Sequence, residues 1–162
     1  MKVVYLIGDA TCPIGDGKKI IPHVCNDRGG WGAGFVLALS NKWKEPEMAY
    51  LRESTYVLGS TTIVEVEPNI SVANMIAQHN TYNKFSKKTD LPPIRYDALR
   101  SCLTAVNYVA MKTGATLHCP RFGTGLAGGT WEEVLKIIEE VVTVDVYIYD
   151  LPERGVIFRR VN

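Results

Sequence analysis

The sequence predicts an α/β fold, a three-layer α/β/α sandwich with a mixed central sheet. Three observations predict it. Strand-like runs alternate with helix-like runs along the chain, the pattern of a sheet covered on both faces. Two β-rich runs in the middle, 61–66 and 70–76, are split only by Glu67-Pro68-Asn69, which reads as a hairpin and makes the sheet mixed. Two glycine-rich segments, 25–34 (CNDRGGWGAG) and 120–129 (PRFGTGLAGG), each follow a strand-like run and lead into a helix-like one.

Each element has its own signal. Residues 2–7 (KVVYLI) read as the first strand, stopped by Gly8-Asp9. Residues 8–19 hold Pro13, Gly15 and Gly17 and read as a loop; 20–25 form the second strand. Residues 33–43 carry Phe35, Val36, Leu37, Leu39 and Trp43, a wide apolar face on a helix. Pro46 ends that pattern, and 47–53 is a further helical stretch. Residues 78–95 are polar, with Lys84, Lys87, Lys88, Pro92 and Pro93, and read as a surface loop. In 96–113, Leu99, Cys102, Leu103, Val106, Val109 and Ala110 fall at helical spacing, and Gly114 is a suitable stop. Residues 116–119 are a strand. Thr130-Trp131-Glu132-Glu133 is a capping-box pattern, continued by Val134, Leu135, Ile138 and Val141. Residues 144–149 are a strand, and 155–160 are a candidate extra edge strand.

Composition bounds the partners. A chain of 162 residues suits a single domain, 1–162, with a real core. Lys and Arg number 18 against 17 Asp and Glu, so no broad field draws nucleic acid or an anionic membrane. Arg154, Arg159 and Arg160 are too few for a nucleic-acid patch and read as a solvated face or an oligomer contact. No apolar run approaches the roughly 18 residues that span a bilayer. The first strand is too short for a signal segment, so the expectation is a cytoplasmic protein with no membrane partner. Cys12, Cys25, Cys102 and Cys119 are widely spaced, without a CxxC, and suit free thiols in a reducing compartment. His23 and Cys25 face one side of a strand, but a zinc site needs two more ligands from His79, His118 or Cys119. Core packing is the reading we carry forward, with no metal and no cofactor.

The glycine loops carry the functional signal. Bare backbone at a helix N-terminus offers free N–H groups and a partial positive charge, which suits phosphate. Two such loops suit the two phosphates of a diphosphate. Gly123-x-Gly125-x-x-Gly128 matches the dinucleotide spacing, but lies too near the end of the sequence for a Rossmann half to follow, so a nicotinamide oxidoreductase is disfavoured. Neither loop holds the Gly-Lys-Ser/Thr of a P-loop. Tight turns explain one or two glycines per loop, but not Gly29, Gly30, Gly32 and Gly34 together.

Three segments together resemble the macro domain, the fold that binds ADP-ribose. They are Gly8-Asp9-Ala10-Thr11, His23-Val24-Cys25-Asn26-Asp27 with the glycines after it, and 121–131 (RFGTGLAGGTW). The resemblance covers most of the chain. It is closest to the branch of ADP-ribose 1''-phosphate phosphatases and terminal ADP-ribose protein glycohydrolases. It implies that Asp9, beside Ala10, accepts a hydrogen bond from the adenine amino group; a turn-capping Asp is the competing reading. It implies that Asn26 bonds the distal ribose hydroxyls, and that Gly30, Trp31, Gly32, Ala33 and Gly34 wrap that ribose and one phosphate. Gly123, Thr124, Gly125 and Leu126 would close over the diphosphate. Phe122 would pack near ribose or adenine, or simply in the core.

His23 and Asp27 match the positions of catalytic groups in the phosphatase-like branch. An imidazole that titrates near neutrality, with an Asp to orient it or a water, suits hydrolysis. The glycohydrolase branch uses a Lys before the long helix and an Asp in the second loop. Here Ala127 stands where that Asp is expected, and none of Lys84, Lys87 or Lys88 aligns. The resemblance therefore implies hydrolysis of ADP-ribose 1''-phosphate or a related ADP-ribosyl ester. The alternatives are a non-catalytic reader of free or protein-linked ADP-ribose and lysine-independent de-ADP-ribosylation of proteins. Expected partners are ADP-ribose or a derivative and an ADP-ribosylated protein.

Overall fold

The strands are β1 (Val3–Ile7), β2 (Lys19–Asn26), β3 (Thr61–Glu67), β4 (Ile70–Gln78), β5 (Thr116–Cys119) and β6 (Val146–Asp150). The computed structural model describes residues 1–81 and 91–152. Lys84, Lys87, Lys88, Arg154, Arg159, Arg160 and the candidate edge strand 155–160 lie outside the described residues. Among the described residues, the strands form one sheet in the order β1-β6-β5-β2-β4-β3. All neighbours pair in parallel except β3, which runs antiparallel to β4. The middle of the chain is therefore the expected hairpin, and the sheet is mixed.

Four helices cover the sheet among the described residues: α1 (Phe35–Lys42), α2 (Glu45–Leu51), α3 (Tyr96–Thr113) and α4 (Trp131–Val141). Alternation along the strands divides the core into two layers. Ile21, Cys25, Val72 and Ile76 pack with Leu39, Trp43 and Tyr50 of the α1–α2 side. Ile20, Ala73, Met75 and Leu117 pack with Leu99, Leu103, Val134 and Ile138 of the α3–α4 side. Residues 72–78 of β4 are all buried, as expected of a parallel strand covered on both faces. No helix among the described residues is long and apolar enough to cross a membrane.

The long helix and β5 fall where the sequence placed them, and Gly114 closes α3 in the left-handed conformation (φ 73°) that glycine adopts at no steric cost. Thr130 caps α4, its hydroxyl accepting from the Glu133 N–H. Three expectations need correction. The first helix starts at Phe35 rather than residue 33, because Gly34 has non-helical backbone (φ 79°, ψ −146°). Pro46 does not end that helix. The chain is already extended at Trp43, whose indole donates to Glu67 Oε2 at 2.8 Å, and Pro46 sits in the first turn of α2, where no N–H is needed. Residues 78–95 are not all surface. Gln78 ends β4, and Ile94 is buried in the core after Pro92-Pro93 and bridges Gln78.

Candidate functional site

β2 and β5 lie side by side, but the chain leaves them in opposite directions. From β2 it passes to α1 and α2 on one face; from β5 it passes to α4 on the other. The two loops part at the carboxyl ends of the strands, where open α/β sheets form their ligand crevices. Here they enclose a cleft of about 500 Å³. Asn26 and residues 30–36 form one wall, residues 120–123 and 125–127 the other, and His23, Val24 and Cys25 the floor, with Gln78 and Thr81 at one side. This size suits a nucleotide-sized ligand.

The first loop is organised by Asn26. Its Oδ1 accepts from the N–H groups of Arg28 (2.9 Å) and Gly30 (3.1 Å), and its Nδ2 donates to the Gly30 carbonyl at 2.8 Å. The buried Tyr50 hydroxyl lies 2.6 Å from the Asn26 carbonyl and 2.9 Å from Oδ1, and donates between them. Asn26 Nδ2 makes this one bond among the described residues. Trp31 is held by its indole, which donates to Ser40 Oγ at 2.8 Å, and meets the His23 ring edge-on. Gly34 and Phe35 open α1 without a side-chain cap; Leu37 N–H turns back to the Gly34 carbonyl at 3.1 Å, and Phe35 and Val36 of the first turn border the cleft.

The second loop is braced differently. Gly129 N–H donates to the Gly123 carbonyl at 2.8 Å, so close that a Cβ on Gly129 would lie 2.5 Å from that oxygen. The Ala127 carbonyl accepts from the Ile94 N–H at 2.9 Å. Arg121 makes a two-toothed contact with Asp150 (2.8 and 2.9 Å) and stacks over the Tyr5 and Trp131 rings. Its charge is thus matched by Asp150.

The structure brings together most of the expected residues. His23, Asn26, Gly30, Trp31, Gly32, Ala33, Gly34, Phe122, Gly123, Gly125 and Leu126 all line the cleft. Phe122 is also core, 5% exposed and edge-on to Trp131. Thr124 turns its hydroxyl back to the Arg121 carbonyl. Asp9, Ala10, Asp27 and Thr124 stand outside the lining. Asp9 Oδ1 accepts from both the N–H and the hydroxyl of Thr11 at 2.8 Å, the capping geometry that competed with adenine recognition.

His23 and Asp27 do not meet. His23 is buried, and burial drives its pKa down to about 4, partly countered by Asn74. Asn74 uses Nδ2 to donate to the Pro46 carbonyl, so its Oδ1 accepts from His23 Nε2–H at 2.6 Å, and the imidazole is neutral. Asp27 instead pairs with His79, Oδ2 to Nδ1 at 2.7 Å, and accepts from the Asn80 N–H at 2.9 Å. Desolvation pushes the Asp27 carboxyl up, but the Asn80 and His79 hydrogen bonds and the His79 charge outweigh it and hold it below the ordinary value. No local sequence signal joins this pair, because the partners lie 52 positions apart. Only the parallel register of β2 on β4, which sets Asn26 opposite Gln78, joins them. Cys25 is buried and its thiol pKa is raised by desolvation, so it is no thiolate nucleophile. No group of three or more His, Cys, Asp or Glu among the described residues is placed to hold a metal ion.

A mixed α/β sheet with glycine loops facing across its switch point is the frame of a nucleotide-binding domain. No family model matches the chain. A solved macrodomain protein from Streptomyces coelicolor is 42% identical, with a TM-score of 0.78 over 92% of this chain and 99% of that one. The chain belongs to the macrodomain family. It is 24% identical to the ADP-ribose 1''-phosphate phosphatase of Candida albicans, over 91% of this chain and 98% of that protein. It is 27% identical to the mouse chromodomain-helicase-DNA-binding protein 1-like over 91% of its own length, but spans only 18% of that protein.

Proposed function

We propose that the cleft binds ADP-ribose and that the protein hydrolyses ADP-ribose 1''-phosphate or a related ADP-ribosyl ester. One observation carries the binding: two glycine loops face each other across a single cleft, and neither needs a cationic side chain to offer N–H groups to a diphosphate. The diphosphate would sit between the uncapped start of α1 and the backbone of residues 123–126. The distal ribose would lie against Gly30 and Asn26 Nδ2. Asn26 thus acts mainly on the loop and secondarily on the sugar. The likeness to the yeast phosphatase supports the hydrolytic part.

A second reading, a reader that binds ADP-ribose without turnover, is favoured by one feature of the lining. His23, Cys25 and Arg121 are its ionisable side chains among the described residues, and none is free to move a proton near neutral pH. Calorimetric titration with ADP-ribose, NAD and AMP tests the site. Phosphate release from ADP-ribose 1''-phosphate then separates enzyme from reader. Tighter binding of NAD or AMP than of ADP-ribose would refute the assignment.

A further inference from the structure

We propose that Ser40 and Glu47 are positioning residues of the ADP-ribose site and act through the indole of Trp31. This role rests on the ADP-ribose reading of the cleft and holds for an enzyme and a reader alike. Trp31 lines the cleft between two other lining residues, Gly30 and Gly32. Gly30 is fixed by Asn26, and the Gly34 carbonyl is taken by the first turn of α1. Between these two anchors, no backbone–backbone hydrogen bond among the described residues holds Trp31, Gly32 or Ala33. Gly32 and Ala33 are exposed and carry no side chain beyond one methyl group. The cleft wall at this point therefore hangs on one side chain, Trp31, which is 8% exposed.

Three contacts hold that ring. It meets His23 edge-on, with centroids 5.4 Å apart, and lies tilted against Tyr50 at 5.2 Å. The third contact is directional: Nε1–H donates to Ser40 Oγ at 2.8 Å. The Ser40 hydroxyl in turn donates to Glu47 Oε1 at 2.9 Å, which leaves its lone pairs to the indole. An indole N–H only donates, so the chain runs one way, from the loop through α1 to α2. Aromatic contacts tolerate a range of offsets, whereas a hydrogen bond weakens steeply once its N–H points away. The Ser40–Glu47 link thus sets the rotation of the ring, and with it the backbone of Gly30 and Gly32.

Helix packing alone does not call for these residue types. Ser40 is half-buried in the last turn of α1, where alanine is the better helix former and an apolar side chain the better contact. Glu47 lies in the first turn of α2, where its charge suits the helix start whichever way the side chain points; here it points at Ser40. Trp43 and Trp131 also spend their indole N–H groups, on Glu67 and Tyr5, but neither lines the cleft.

The test is calorimetric titration with ADP-ribose of wild type, Ser40→Ala, Trp31→Phe and the double variant, with the indole N–H signals followed by NMR. The chain has three tryptophans, so Trp43 and Trp131 serve as internal controls. Ser40→Ala should weaken binding about fivefold, the worth of one hydrogen bond, and move the Trp31 indole signal alone. Trp31→Phe should weaken it at least as much. Adding Ser40→Ala to Trp31→Phe should then change affinity by less than about twofold, because the N–H that Ser40 serves is already gone. A purely structural Ser40 would cost the same in both backgrounds, and that result would overturn the inference. Glu47→Ala should weaken binding too, and Glu47→Gln, which keeps an acceptor oxygen, should restore it; this pair decides if Ser40→Ala does not fold. Wild type that binds while Ser40→Ala and Glu47→Ala stay within about twofold of it would overturn the inference and leave the cleft assignment standing. Wild type that does not bind ADP-ribose would overturn the cleft assignment itself.

Discussion

Lowering the pH from 7.5 to 4.5 should cost this protein much of its stability, through two buried histidines. His23 and His118 each have a pKa near 4 in the folded protein against an ordinary value of 6.5. Burial is the main cause for both, with the charge of Lys19 adding for His118. His118 sits between Tyr149 OH and Thr116 Oγ1, at 2.7 and 2.8 Å, and stacks on Tyr147, so its neutral form is fully partnered. Both folded values lie below the unfolded one, so the unfolded chain binds more protons between pH 6.5 and 4. Stability is therefore full above 6.5 and falls as the pH drops through that window. At pH 4.5 each histidine removes about 2–3 kcal/mol, and the two together about 5, a large share of an ordinary domain's stability. Urea unfolding at both pH values measures the loss. His118→Gln should roughly halve the pH slope, whatever it does to stability at pH 7.5. A stability change below about 1 kcal/mol across this range would refute the assignment of both rings as buried and neutral.

Three further outcomes follow from the loops. Gly32→Ala places its Cβ in open space, with nothing within 4 Å, so melting temperature should hold while ADP-ribose affinity falls about tenfold or more by calorimetry. Unchanged affinity would show that no ligand approaches that backbone. Tyr50→Phe removes the one hydroxyl that meets both the carbonyl and Oδ1 of Asn26, and should cost about 1–2 kcal/mol in chemical denaturation. Arg121→Lys loses the two-toothed contact with Asp150 and the stacking over Tyr5 and Trp131. Affinity for ADP-ribose should fall several-fold with stability changed by no more than about 1 kcal/mol, because the pair is partly exposed.

The architecture was legible because it is written in local patterns. Leu99, Cys102, Leu103, Val106 and Ala110 mark α3 by spacing, Gly114 marks its end, and Pro68-Asn69 marks the hairpin. The cleft wall was legible for the same reason, since glycine density is a property of neighbours in sequence. The boundary errors were local conflicts decided by tertiary contacts: Trp43 leaves its helix to reach Glu67, and Ile94 leaves a polar stretch to fill the core. Asp9 shows a limit of a different kind. Its carboxylate suits adenine and a turn equally, and only the two bonds to Thr11 reveal which of its oxygens is taken.

The pairing of His23 with Asp27 failed for a reason that applies to any strand-end motif. Four residues apart on one strand and its exit, they look adjacent in sequence. A β-strand separates them, however, because its residues advance about 3.3 Å each, which sets residues four apart roughly 13 Å from one another along the strand. His23 is still inside β2, on the face under Trp31 and Phe35, while Asp27 has already left the strand. The partner of a residue just past a parallel strand is the residue just past its neighbour. β2 ends at Asn26 and β4 at Gln78, each followed at once by one partner of the pair, and the register that opposes Asn26 to Gln78 delivers the imidazole to the carboxylate. Topology, not sequence proximity, therefore places the titratable pair beside Gln78, outside the lining of the cleft, and leaves the cleft floor neutral.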